Sequence, residues 1–345
     1  MEISALKYEV DYMPEGQPNR RTLLMARGFR KGYDMPVPIA RALAFKELLS
    51  LPKHIYGSDL IAGSLRGLFG PPAEQAELDY CQSIINSYGS NYFVTNADHF
   101  APDYEKILKA GVPGILREIE GSLLKHQGDK KRETNLKAMR ICFNAFRDYI
   151  LDYAKIAQES NHWDIAENCR FIADNPPQTF RQALQLVWLA HSAFVLEGRY
   201  AMALGRIDQF LYPYFEKDTA DGSLDEQNAV LLLASVFYKR LCHNKQLINS
   251  HFYRGVSELP YKLLFAVIYT HLEFRYEVSH TITSHRVHHF HQTRIPDGTL
   301  LDYMVQYRKP LFPQFFLYPK KFLPENNPHH KEFHLRPYIQ NNANQ

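Results

Sequence analysis

Cysteine is scarce in this chain: Cys81, Cys142, Cys169 and Cys242 are the only four in 345 residues, and no two form a C-x-x-C pair. That spacing argues against a disulfide framework or a thiolate zinc site, fits a reducing compartment, and leaves each cysteine as a small apolar core residue. A dominant charge sign is lacking too. The formal net charge is only +3, with basic and acidic residues interspersed, so there is no electrostatic footprint for nucleic acid or a membrane surface. No run of about eighteen apolar residues exists. The start, Met1-Glu2-Ile3-Ser4, lacks the basic region and apolar stretch of a secretory signal, so a cytoplasmic protein is expected. A small polar metabolite is then the default partner.

What is present is enough apolar material, 45% of the chain, for one or two globular domains. The segment from Pro36 to Leu51 carries apolar residues at Ile39, Ala42, Leu43, Phe45 and Leu48, which predicts a helix packed on one face and stopped at Pro52. Between Ser58 and Pro72, the run Leu60-Ile61-Ala62 with Gly63, Gly67 and Gly70 predicts a short buried strand followed by turns. No Gly-Lys-Ser/Thr closes it, so it is no phosphate loop.

From Glu133 to Ser160, Leu136, Met139, Phe143, Phe146, Ile150, Tyr153 and Ala157 recur at spacings of three and four, the signature of an amphipathic helix. Another helix is announced by Pro176-Pro177 and by the capping box Thr179-Phe180-Arg181-Gln182. Its body is apolar all round, which predicts burial of Leu184, Val187, Trp188, Ala190 and Phe194 together, with Gly198 as the stop. His191 on this helix is assigned to the core. A third helix is expected behind a capping box at Ser223-Leu224-Asp225-Glu226 and continues to Tyr238.

Past about Cys242 the pattern changes. Ten of the sixteen histidines lie beyond residue 250, aromatic residues crowd together, and no helical period can be followed. A boundary is expected there, giving units 1–242 and 243–345. His285, His288, His289 and His291, with His329, His330 and His334, are the densest set of imidazoles, but no carboxylate or cysteine completes a defined spacing and no metal site is expected.

Three stretches, taken together, resemble one family. The first is Pro176 to His191, PPQTFRQALQLVWLAH. The second is Leu204 to Asp218, LGRIDQFLYPYFEKD, where Gly205, Arg206, Asp208, Gln209, Leu211, Pro213, Tyr214 and Asp218 match a Gly-Arg-x-Asp-Gln run. The third is Asp98 to Gly114, DHFAPDYEKILKAGVPG, matching at His99, Asp103, Tyr104, Leu108 and Gly111. In order and spacing these are similar to the glycyl radical enzymes, in the branch of pyruvate formate-lyase relatives and the diol, choline and hydroxyproline lyases, over roughly Met35 to Tyr238.

The resemblance implies an α/β fold that is predominantly helical here, with residues 1–242 forming the N-terminal half of a ten-stranded β/α barrel and the surrounding helices, and with an atypical C-terminal tail. It implies radical cleavage of a C–C, C–O or C–N bond in a small polar metabolite. The family's radical sits on a backbone glycine and is installed by an S-adenosylmethionine-dependent iron–sulfur activating enzyme. During turnover it passes to a cysteine in a Gly-Cys-x-Glu motif. No such motif and no Arg-Val-x-Gly-Tyr-like loop occurs in these 345 residues, so no catalytic residue is assigned, and the chain is expected to be incomplete and inactive alone, with a homodimer as the family's assembly.

Of the residues that meet substrate in the family, the likeness carries over His99, which either faces a substrate hydroxyl or carboxylate or caps the turn before Pro102. It also points to Tyr92 as an aromatic closing the cavity. Ala203 stands where many relatives have serine or threonine. Gly205, Arg206, Asp208 and Gln209 form a structural motif, in which Arg206 and Asp208 are expected to pair as a clamp. Two other readings stay open: a non-catalytic half-barrel that binds a metabolite or a full-length partner, and a defective product, the latter from a reading-frame slip near codon 242.

Overall fold

The computed structural model describes residues 17–94, 101–199 and 202–247, with side chains as far as Lys239. The chain divides into two compact units, Met1–His271 and Leu272–Gln345, and every described residue belongs to the first. The second unit, and with it the histidine-rich tail, lies outside the described residues.

Ten α-helices are described: α1 Arg21–Lys31, α2 Val37–Leu49, α3 Gln75–Tyr88, α4 Tyr104–Lys125, α5 Lys130–Glu159, α6 Trp163–Asp174, α7 Phe180–Glu197, α8 Ile207–Phe210, α9 Tyr212–Ala220 and α10 Glu226–Leu247, with short 3-10 turns at Arg66–Leu68 and Ser90–Tyr92. The described part is therefore helical, as its sequence periods require. Among the described residues there is no strand; an isolated antiparallel bridge joins Asn19 and Phe69. None of the described helices is long and apolar enough to cross a membrane.

The strand expected over Leu60–Ala62 is absent, and the reason is local. The backbone there is bonded by side chains from distant helices instead of a ladder. Gln185 on α7 both accepts from the Ala62 N–H (2.7 Å) and donates to its carbonyl (2.9 Å). Tyr153 on α5 accepts from Ser64 N–H (2.9 Å), and Trp188 donates to the Gly63 carbonyl (3.2 Å). Buried backbone groups must find partners, and here those side chains supply them without a neighbour strand.

The helix ends follow the sequence closely. Thr179 and Gln182 form the capping box of α7, whose last turn closes on Gly198 at φ 103°. Asp103 and Asp129 cap α4 and α5 by accepting from Lys106 N–H and Arg132 N–H. The cap of α10 differs from expectation: Asp225 accepts from Asn228 N–H at 2.7 Å, while Ser223 Oγ donates to the Asp218 carbonyl. An ionised carboxylate two residues closer to the helix is the better acceptor for its positive end.

At the centre lies α7, with Leu184, Leu186, Val187, Trp188 and Leu189 at 0% exposure. Each such large side chain contributes about 1.5–3 kcal/mol on burial. Phe194 departs from the expected all-round enclosure, being 37% exposed. Against this core, α1 and α2 cross closely at Gly28, where a Cβ would fall 2.3 Å from Ala44 Cα.

Candidate functional site

The three sequence stretches that drew attention meet in space. Tyr104 at the start of α4 is 2% exposed, and its hydroxyl is hydrogen-bonded to His191 Nδ1 on α7 at 3.0 Å. The His191 ring stacks on Trp188 with centroids 5.6 Å apart, and the Tyr104 ring lies 6.0 Å from that of Phe210 on α8. A phenol and an imidazole buried this deeply require such partners. The assignment of His191 to the core describes where it sits.

Two further links close the triangle. Phe180 N–H at the start of α7 donates to Asp218 Oδ2 on α9 at 2.7 Å. Gly111, at φ 64° and ψ 172° inside α4, lies so close to Pro176 that a Cβ would fall 2.8 Å from its nitrogen. Only glycine adopts that backbone region freely, so this residue kinks α4 around the proline pair that precedes α7.

Gly205 has φ 67° and faces the Ala101 methyl. After it, Arg206 Nε stands 3.5 Å from Asp208 Oδ1; the aspartate is buried, the arginine and Gln209 exposed. Ala203 is buried at 2% and presents a methyl where a hydroxyl was expected of relatives. Tyr92 is half-buried in an aromatic cluster, 5.9 Å from the ring of Phe29 and 6.5 Å from that of Tyr88. There it packs α3 against α1. His99 lies outside the described residues, so no geometry is assigned to it.

Sequence reasoning missed Arg21. It is 4% exposed, and its guanidinium donates to the carbonyls of Phe93 (2.8 Å), Leu196 (3.1 Å) and Glu197. It thus joins the residues that precede 95–100 to the C-terminal end of α7, where a cation also suits the helix dipole. No local signal marks it, because its partners lie 72 to 176 positions away.

Beside this junction a groove of about 1110 Å³ runs between α2, α4, α5 and α7. Its walls are mainly apolar, and five of its six charged residues pair with one another, while Asp103 caps α4. Lys106 bonds Glu118 at 2.8 Å, and Glu197 takes both Arg41 and Arg199, the latter at 2.8 Å. Burial, with Glu197 nearby, pushes the Cys142 thiol in this wall up to about 11, so it stays protonated and unreactive at neutral pH. Cys169 in the core is pushed by burial to about 12. Among the described residues no three His, Cys, Asp or Glu side chains are grouped to hold a metal.

The family model described as pyruvate formate lyase-like matches residues 72–257. The chain is 32% identical over 186 residues to a probable dehydratase, YbiW, of Escherichia coli K12, covering 49% of this chain and 23% of that protein. It is 31% identical over 297 residues to the (2S)-3-sulfopropanediol dehydratase of Klebsiella oxytoca, covering 64% of this chain and 36% of the relative. A solved glycyl radical enzyme from Archaeoglobus fulgidus superposes with a TM-score of 0.59 at 23% identity, over 69% of this chain and 40% of its own. The chain thus matches well under half the length of each of these proteins.

Proposed function

The chain belongs to the pyruvate formate lyase-like family, and from that premise we propose that it is the N-terminal framework of a glycyl radical dehydratase or lyase acting on a small hydroxylated metabolite. The observation that carries this reading is the convergence of the three family-like stretches, through Tyr104 with His191, Phe180 with Asp218 and Gly111 with Pro176. Their side chains are buried clamps, and clamps of this kind hold a scaffold in one geometry and do not carry out chemistry.

The substrate class follows from the relatives. Two of them are named as dehydratases, one of a sulfonated diol. In the radical route of this family, elimination of a hydroxyl uses a hydrogen-abstracting thiyl and a base in a chamber closed to water. In this proposal the abstracting cysteine and the radical glycine come from polypeptide other than these 345 residues, which contain no Gly-Cys-x-Glu sequence. His99 supplies a contact to the substrate hydroxyl from the segment before Ala101. In the same reading, that other polypeptide completes the barrel half. The radical is installed by a partner enzyme that uses S-adenosylmethionine and an iron–sulfur cluster.

The test is anaerobic incubation of the 345-residue chain with such an activating enzyme and 1,2-propanediol or glycerol. The expected result is no electron paramagnetic doublet and no aldehyde product. A doublet with product from this chain alone would overturn the proposal.

A further inference from the structure

Helix α10 does not choose its own seat by hydrophobicity. From Ala229 to Tyr238 every residue but Ser235 is apolar, so no single stripe stands out against a polar face. Ala229, Leu232 and Val236 are buried, Leu231 and Leu233 are half-buried and Val230 is exposed. Turning the helix by one residue, or sliding it by one turn, would exchange one set of apolar side chains for another with little loss of burial.

Lys239 supplies the choice that the apolar residues leave open. It continues the buried stripe of Ala229, Leu232 and Val236, and its ammonium lies 2.6 Å from Asp59 Oδ1, with the two side chains at 2% and 0% exposure. The Lys239 ammonium also faces the ring of Tyr56 at 5.8 Å. Asp59 is itself fixed: its Oδ2 accepts from Tyr56 N–H at 3.0 Å, and its own N–H donates to the Tyr56 carbonyl at 3.0 Å. A few residues further on, Gln185, Trp188 and Tyr153 pin the same segment to α7 and α5. Among the described residues, Asp59 Oδ1 and Lys239 Nζ hydrogen-bond to no other group. A shift of α10 would therefore leave two buried charges apart, which costs far more than any apolar exchange along the helix.

We propose that the Lys239–Asp59 ion pair is the register key of α10: it selects the rotation and the height at which the helix docks on the segment before α3. A buried ion pair adds little net stability over an apolar pair, but it discriminates strongly between packings that keep it and packings that break it. The key does not depend on the reaction proposed above, because it concerns how this chain is held and not what it acts on.

The experiment uses the full 345-residue chain with a reporter thiol, placed by Val236→Cys on the buried face of α10 or by Val230→Cys on the exposed one. Iodoacetamide labelling is read site by site by mass spectrometry, alongside urea unfolding. In the parent background Val236→Cys should label at least about a hundredfold more slowly than Val230→Cys. Asp59→Asn, which keeps an acceptor for Tyr56 N–H, and Lys239→Met should each lower the urea midpoint, because one buried charge loses its partner. Combined, Asp59→Asn and Lys239→Met should recover at least about half of what Lys239→Met alone loses, while the two reporters come within about tenfold of each other as α10 samples more than one seat. A double variant that keeps the parent contrast between reporters overturns the proposal, because apolar packing alone then sets the register. One that recovers no stability, or does not fold, overturns it in favour of a plain stabilising contact. Single variants with the parent midpoint, or reporters that label alike in the parent background, overturn it as well.

Discussion

Tyr104 and His191, 87 positions apart, are joined by a 3.0 Å hydrogen bond between the phenol and imidazole Nδ1 inside the core. It couples the start of α4 to the middle of α7, and so two of the three family-like stretches to each other. Tyr104→Phe keeps the ring and removes the bond. A buried polar partner lost in this way costs about 1–3 kcal/mol. The urea midpoint, followed by the fluorescence of buried Trp188, should fall accordingly. An unchanged midpoint would show that the bond carries no stability.

Two glycines of the same helix should respond in opposite directions. Gly111→Ala places a methyl against the Pro176 backbone at a φ of 64°, which costs at least about 2 kcal/mol from conformation alone. Gly121→Ala meets nothing within 4 Å on an exposed turn of α4 and should stabilise by about 0.5–1 kcal/mol. Paired denaturation curves check both, and equal effects would contradict the kink at Gly111.

How much of this was legible depended on whether a residue's partners were near in sequence. The periods of α5 and the capping box of α7 are local, and these two helices begin and end within a few residues of expectation, whereas α10 runs on past Tyr238 to Leu247. The segment Leu60–Gly63 read as a strand because its apolar run and glycines are those of one, yet Gln185 and Trp188, more than 120 positions away, supply the bonds a strand would have supplied. The ring partners of Tyr92, on α1 and α3, come from elements that no local pattern joins to it. Arg206 and Asp208, two positions apart, stand 3.5 Å from each other, so the proximity of this pair is local in the chain.

Stability should decline at alkaline pH for a reason located in the thiols. Cys142 and Cys169, pushed to about 11 and about 12 by burial, titrate near 9 when unfolded. Between those limits the unfolded state binds fewer protons than the folded one, so their contribution is full below pH 9 and is lost as pH rises toward 11 and 12. The buried Tyr149 and Tyr153 act in the same direction. Lys53, lowered chiefly by burial, acts oppositely below its usual 10.5. Unfolding midpoints at pH 8, 9, 10 and 11 should fall with pH, and Cys169→Ala should make the decline shallower. Iodoacetamide at pH 8 should leave Cys169 unmodified in the native chain.

Arg21 offers the sharpest distinction between a charge and a fork. Its three nitrogens serve the carbonyls of Phe93, Leu196 and Glu197, and Gly198 is close enough that a Cβ would lie 2.7 Å from the guanidinium. A lysine ammonium keeps the charge but cannot span three acceptors spread around a plane. Arg21→Lys should therefore lose most of what Arg21→Ala loses, at least about 3 kcal/mol given three charge-assisted bonds in a buried site. Gly198→Ala should act in the same direction, because a methyl at φ 103° must displace the guanidinium. In the chain these bonds tie the residues before 95–100 to the end of α7, so loss of the fork should also raise hydrogen exchange at Phe93 and in the last turn of α7 before the rest of the core. If Arg21→Lys matches the parent protein in both stability and exchange, charge alone holds the junction and the forked geometry is incidental.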